Sequence, residues 1–362
     1  MIYTLSPPLQ SSGLTARGLA FRFFLSLALL FPLTVFGDNI VLSMTKGDVQ
    51  VLPAGRATPI EANKGHVLRS GDRVYTGHDG WTVLLVPDGS RVVLTANSEF
   101  MVRSHDAKRR SGTFSLISGM LRAMINPSSQ TKANYRFNTP TSVAGVRGTD
   151  FSMIHRGQAN VFFGNSGKVE VQGLNTAARP LTAATVVQTT RGTLPTEPIR
   201  IEPNSRLAEA QALLNAVTDE APASWIEAGK LPEIVARWNI TYSRYLADAG
   251  RHEEALHVLQ VALDLTDAID IQADARLERG AVFSRIPDGA AAAVEEYASL
   301  LNFEFTGPQR EIALYMIGMG QYQLNRTGEA HARLLQYLRD YPNGRYQERV
   351  ETLLRSIEKT LP

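Results

Sequence analysis

The sequence predicts a two-part fold, an all-β unit followed by an all-α array of paired helices. Three observations carry that prediction. From Asp38 to residue 190, glycine-centred turns alternate with short runs of β-branched and aromatic residues. A stretch with prolines at 195, 198 and 203 follows. Beyond it, apolar residues recur at helical spacing.

In the first part the turns are Lys46-Gly47-Asp48, Gly71-Asp72, Asp79-Gly80, Asp88-Gly89, Ser118-Gly119 and Ser166-Gly167. Glycine reaches positive φ without a Cβ penalty, and Asp or Asn bonds its own backbone, so these pairs read as turns. Between them lie Trp81–Val86, Arg91–Thr95, Thr113–Ile117, Asp150–Ile154, Asn160–Phe163 and Lys168–Val171. Phe114-Ser115-Leu116-Ile117 and Lys168-Val169-Glu170-Val171 alternate, which gives one apolar and one wet face. Thr82–Val86 is apolar throughout and should be buried on both sides. No helical period interrupts residues 38–190. The regular spacing suits a sandwich, a barrel or a solenoid.

Residues 191–203 read as an extended linker and 204–362 as the helical part. Asn204 or Ser205 can cap a helix through Val217, and Pro232 can open another at its first turn. In that helix Ile234, Trp238, Tyr242 and Leu246 recur every four residues until Gly250. A partner helix follows with Ala255, Leu259 and Ala262 on one face. Two further copies are readable. One has Gly280, Phe283, a turn at Pro287-Asp288-Gly289, then Ala292 or Ala293 and Tyr297. The other has Ile317, Gly318, a turn at Asn325–Gly328, then Ala330, Leu334 and a stop at Pro342. This order resembles the tetratricopeptide repeat, in which the small residue after the turn, here Ala255, lets the two helices approach closely.

Composition narrows the chemistry. The formal net charge is +2, but residues 38–195 hold 18 Lys/Arg against 10 Asp/Glu and residues 196–362 hold 17 against 25. Opposite fields on the two halves should help to orient them. The chain has no cysteine, which excludes thiol catalysis, disulfide frameworks and thiolate metal sites. Its seven histidines fall in no metal-binding spacing, and no nucleophile elbow, phosphate loop or dinucleotide fingerprint occurs. No cofactor, metal or enzymatic activity is therefore expected. At the start, Arg17 and Arg22 precede an uncharged run from Phe23 to Phe36 and the sequence Val35-Phe36-Gly37. This reads as an export signal over residues 1–37, cut before Asp38; the alternative is an uncleaved anchor.

One set of strings carries a second resemblance: Gly71–Gly77, Pro87–Val92, Ser118–Arg122, Thr139-Pro140-Thr141-Ser142-Val143-Ala144-Gly145-Val146-Arg147-Gly148-Thr149-Asp150-Phe151, and Gly167–Val171. In that order, over residues 45–172, they resemble the FecR-type domain. Its pattern usually has an acidic residue before the last glycine, where this chain has Asn165-Ser166, read as a turn variation of little consequence. The resemblance implies a periplasmic, β-solenoid-like domain whose relatives sense an occupied outer-membrane transporter and relay that state to a cytoplasmic sigma factor. The relay half is not expected, because about 22 residues precede the apolar run, too few for a domain. Within the segment, Pro140 forces Thr139 extended, and Gly145 and Gly148 permit tight turns around Arg147. Arg147 then either grips a carboxylate or phosphate or bonds carbonyls at a corner.

The resulting expectation is an exported, non-enzymatic interaction or scaffold protein of the cell envelope. Its partners would be envelope proteins or a cell-wall glycan, with no nucleic acid, and a membrane only at the periphery or through an uncleaved signal. The alternatives are a membrane-anchored FecR-like transducer and a polysaccharide-active enzyme. Family-motif candidates are Thr139, Pro140, Gly145, Arg147, Gly148, Thr149 and Phe151. Repeat-packing candidates are Trp238, Gly250, Ala255, Leu259, Gly280, Gly318, Ala330 and Pro342.

Overall fold

Glycine turns close neighbouring strands into hairpins, and the hairpins sort into two sheets. The computed structural model describes residues 38–127, 133–302 and 307–359. The export-signal reading falls on residues 1–37 and lies outside them. In chain order the strands are β1 (Ile40–Lys46), β2 (Val49–Leu52), β3 (Ile60–Glu61), β4 (Val67–Leu68), β5 (Arg73–Thr76), β6 (Trp81–Leu85), β7 (Arg91–Leu94), β8 (Glu99–Asp106) and β9 (Ser111–Met124). There follow β10 (Asn134–Asn138), β11 (Ser142–Val146), β12 (Asp150–Arg156), β13 (Ala159–Ser166), β14 (Lys168–Gly173), β15 (Ala178–Thr182), β16 (Thr185–Thr189) and β17 (Ile199–Arg200).

Sheet A runs β4-β1-β6-β7-β9-β12-β13-β16-β17. Sheet B runs β3-β2-β5-β8-β9-β10-β11-β14-β15. Strand β9 belongs to both. Its first half pairs with β8 as far as Ser118, and its second half pairs with β12 from Gly119 onward. The Ser118-Gly119 pair, expected as a turn, is instead a kink inside a 14-residue strand. Every pairing is antiparallel except β9 with β10. The strands therefore do not close into a solenoid, where the family resemblance implies a β-solenoid-like domain. A coil-on-coil solenoid needs parallel neighbours, whereas tight turns at residues such as Gly89 and Gly167 fold the chain straight back on itself.

The period of two divides the buried residues of sheet A between two cores. Leu84, Phe151, Met153, Phe162 and Val187 point toward sheet B and join Phe100, Phe114, Tyr135 and Phe137 there. Phe114 stacks with Phe100 at 5.7 Å, and Phe137 meets the edge of Phe151 at 5.3 Å. Ile154, Val161, Phe163 and Val186 point the other way, into a second core shared with helices. That is why Thr82–Leu84 are buried on both faces, as their apolar run predicts, and why most of β12 and β13 are too.

The helices are α1 (Arg206–Asp219), α2 (Ile226–Gly229), α3 (Leu231–Asp248), α4 (His252–Leu265), α5 (Ile269–Phe283), α6 (Ala290–Leu300), α7 (Pro308–Gln323), α8 (Thr327–Asp340) and α9 (Gln347–Glu358). The Ser205 hydroxyl caps α1 by accepting the Ala208 N–H at 3.2 Å. Three hairpins follow, α3–α4, α5–α6 and α7–α8, and α9 seals the last with Val350, Leu354 and Ile357. The apolar stripe of α3 is offset from the expected one. Its fully buried line runs Val235, Asn239, Ser243 and Leu246, while Trp238 and Tyr242 lie half-buried at its margin and stack on each other at 4.6 Å.

The stretch 191–203 does not act as a free linker. Ile199 pairs with Val186 through β17, Thr196 exchanges hydrogen bonds with Gln188, and Ile201 enters the helical core. Residues 37–362 accordingly form one unit. Sheet A is its middle layer, with sheet B on one face and α1, α3 and α4 on the other. Polar pairs lock this second interface. Gln188 and Asn239, both fully buried, exchange two amide hydrogen bonds at 2.9 and 2.8 Å. The Trp81 indole donates to the Val217 carbonyl at 3.0 Å, and Thr190 donates to Asp264. Among the described residues, Lys46–Glu220, Arg122–Asp219 and Arg156–Asp267 are ion pairs across the interface. In each the cation comes from the β half and the anion from the helical half, in keeping with the charge asymmetry.

One interface group gives the fold a pH dependence. His257 Nε2 lies 3.3 Å from Thr193 Oγ1, and burial pushes its imidazole down from 6.5 to about 4. Between those values the unfolded chain binds more protons than the folded one. Stability is therefore complete above pH 6.5 and is lost as the pH falls toward 4, by at most about 3 kcal/mol from this group. His257→Gln should flatten that portion of a denaturant-measured stability profile. An unchanged profile would remove His257 as its source.

Candidate binding surfaces

The Thr139–Phe151 segment builds a corner of sheet B and the return to sheet A. The Thr139 hydroxyl accepts the N–H groups of Thr141 (3.2 Å) and Ser142 (2.9 Å), so Pro140 sits exposed at the apex of a side-chain-closed turn. Gly145 is not a turn residue. It lies within β11 opposite Arg136 and Glu170, with no positive φ. Gly148 alone turns the chain, at φ +85°, and a Cβ on it would come to 3.1 Å from Pro127. Phe151 is fully buried between the sheets, and Thr149 is buried behind Gly148. Arg147 projects into solvent, with no ion pair or carbonyl hydrogen bond among the described residues. It does not anchor the corner.

Beside this turn an open polar cleft of about 620 Å³ is lined by Gly148, Thr149, Asp150, Arg122, Arg91 and Asn126. Arg122 holds Asp150 in a bidentate pair (2.9 and 2.7 Å) and reaches Asp219 with its remaining nitrogen at 2.7 Å. Its charge is already matched by two carboxylates. Neither carboxylate is left as a free acid or base. The exposed guanidinium of Arg91, together with Arg147 next to the cleft, gives the surface its residual positive charge. The arrangement suits recognition of an acidic group more than proton transfer.

Asn165, dismissed as turn variation, joins the two halves. Its amide donates to Asp150 at 3.0 Å and to Asn215 at 3.1 Å, and its oxygen accepts from Gln211 at 2.9 Å. A carboxylate there could not donate to Asp150, so an acidic residue would break the junction with α1. Sequence reasoning also missed Trp81, Gln188 and Asn239. A polar Asn239 in mid-helix between apolar turns was the one available signal.

Of the repeat-packing candidates, the alanines and glycines fall near the hairpin turns, and Trp238 and Pro342 do not. Ala255, Ala293 and Ala330 are all buried just after their turns, which settles Ala293 over Ala292. Tyr297 and Leu334, four residues on, point at the preceding helix, and Leu259 at the same step is fully buried. A Cβ on Gly280 would lie 2.4 Å from the Tyr297 ring and one on Gly318 2.6 Å from Leu334, so these glycines admit the partner side chain. Gly250 ends α3 at φ +76°. Trp238 is half-buried and Pro342 is exposed after α8. The helical region resembles tetratricopeptide repeats in this arrangement.

The chain thus combines a two-sheet domain, docked helical hairpins and a polar corner that carries exposed Arg147 and Arg91. Residues 72–192 match the family described as FecR protein, so this part of the chain is a FecR domain. No curated protein matches the chain. Among solved structures, two described as of a candidate anti-sigma factor from Parabacteroides distasonis are 13% identical, with TM-scores of 0.31 and 0.32 and 39% of this chain covered. The chain spans 64% of the length of each. The C-terminal TPR-containing domain described for an FK506-binding protein from Plasmodium falciparum is 14% identical, with a TM-score of 0.30, covering 36% of this chain and 91% of that one.

Proposed function

We propose that this is an exported, non-enzymatic binding protein that serves a signalling or regulatory assembly in the cell envelope. The FecR domain takes one protein partner at the Arg147–Gly148 corner, and the helical hairpins present a second binding surface. The observation that carries the reading is the FecR match over residues 72–192, in a body where helices already cover the outer face of sheet A. The corner lies clear of that packing, with its exposed Arg147 and Arg91 and an acidic complement as the ligand chemistry.

Two measurements test this. A photo-crosslinking residue at exposed Pro127, beside Gly148, should capture the same protein repeatedly from the native host, with capture falling at least tenfold in an Arg91→Glu or Arg147→Glu background. Equal capture from a crosslinker at exposed Glu348 would sink the assignment of the corner. The intact mass of the mature protein tests location, with loss of the first 37 residues expected. A mass that retains them replaces this reading with the membrane-anchored transducer.

A further inference from the structure

Away from the FecR corner, a cavity of about 390 Å³ lies where β9 changes sheets. One wall is the kink at Gly119-Met120 and the end of β12, Ile154 to Gly157. The opposite wall is the entry to the helical part, with Trp225, Gly229 and Pro232. Met120, Ile154, Trp225 and Pro232 make most of the lining apolar. His155 contributes a buried imidazole whose Nδ1 is held by the Ala159 carbonyl at 3.0 Å, and burial lowers its pKa, so it is neutral near pH 7. Arg156 is the one lining residue with a permanent charge. Its partner at 3.4 Å, Asp267, is 97% exposed, and a pair with so solvated a carboxylate contributes little and exchanges readily.

Two costs coincide at this place. An apolar void forfeits dispersion contacts, and a glycine at a helix end forfeits backbone order. Gly229 is a glycine that neither backbone angle nor crowding requires. Its φ is not positive, and a Cβ built on it would meet nothing within 4 Å. A larger side chain would be tolerated there, at the rim of the cavity that Gly229 lines. By contrast, Gly157 on the facing wall needs its φ of +57° and would bring a Cβ to 2.6 Å from the Asp264 carbonyl. That wall is fixed against α4.

We propose that this cavity binds a small aromatic carboxylate, with the rings among Met120, Ile154 and Trp225 and the carboxylate on Arg156 in place of Asp267. The size fits, since an apolar cavity of ~150 Å³ takes up benzene and small-molecule sites begin near ~300 Å³. The sign of the charge fits, because no lining carboxylate opposes an anion. This inference is independent of any partner at the FecR corner.

The test uses the full chain and two bicyclic probes, 2-naphthoate and its neutral analogue 2-naphthylmethanol, followed by calorimetry and ligand-observed NMR. Naphthoate should bind at one site per chain and more tightly than the alcohol. Arg156→Gln should weaken naphthoate about tenfold while leaving the alcohol within twofold, which separates charge recognition from cavity filling. Gly229→Leu should weaken both about tenfold or more. Arg156 is half-exposed, so the Gln variant folds and decides the matter even where Gly229→Leu perturbs the fold. No saturable naphthoate binding at millimolar concentration, or binding indifferent to both substitutions, overturns the proposal.

Discussion

Gly119→Ala is expected to destabilise the protein by roughly 3–5 kcal/mol, a loss of some 6–20 °C in Tm, combining left-handed backbone strain with overpacking. Gly119 is the residue at which β9 leaves sheet B and joins sheet A. It has φ +102°, and a Cβ there would lie 2.2 Å from Ser98 Oγ and 2.6 Å from Ser98 Cα. Neither neighbour can yield. The Ser98 hydroxyl accepts the Met120 N–H at 3.1 Å, and the Ser98 carbonyl accepts the Thr76 N–H at 2.9 Å, so Ser98 ties both sheets to the kink. Gly145→Ala is the matched control. Its φ is not positive, and its Cβ would find Glu170 O at 3.9 Å, an ordinary contact, so its midpoint should stay within ~0.5 kcal/mol of the parent. Chemical denaturation of both variants decides the point. A Gly119→Ala midpoint equal to that of Gly145→Ala would mean that β9 does not cross there.

The same residue marks the limit of what local sequence reveals. Glycine after serine has one local meaning, freedom at φ, and that freedom serves a hairpin turn or a kink equally well. Which of the two forms is decided by where the flanking residues find partners. Ser111–Ser118 pair with β8 and Gly119–Met124 with β12, which lies on the far side of β10 and β11 in the chain. Properties set by period and burial were legible. The two-sided apolar run at Thr82–Leu84 foretold a middle layer, and the alanines at 255, 293 and 330 marked the hairpin turns.

Properties set by a single distant partner were not. Asn165 looks like turn filler until α1 brings Asn215 and Gln211 to it. Residues 191–203 look like a linker because prolines exclude a central strand, yet an edge strand tolerates them, and β17 is an edge. The site divides along the same line. The segment around Arg147 was readable as a motif, while the exposure of Arg147 and the placement of Gly145 inside β11 depend on strands that come later in the chain.

The docking of helices onto sheet A should behave as a coupled polar lock. Gln188→Met and Asn239→Leu, each alone, are expected to cost about 2–4 kcal/mol, because each strands a carboxamide that is completely buried. Made together they should cost little more than ~1 kcal/mol, since apolar groups of similar volume then face each other with nothing left to satisfy. The double-mutant cycle therefore closes with a coupling energy of about 3 kcal/mol or more, in the sense that the second substitution repairs the first. The rim ion pairs cannot imitate this. Asp219, Glu220 and Asp267 are 66%, 85% and 97% exposed, and pairs made to such groups contribute at most ~1 kcal/mol and fade with salt. Measured at high ionic strength, the Gln188–Asn239 coupling should persist. Additive losses in that experiment would show that the hairpins are not held on the FecR domain through this amide pair, and the middle-layer architecture would have to be abandoned.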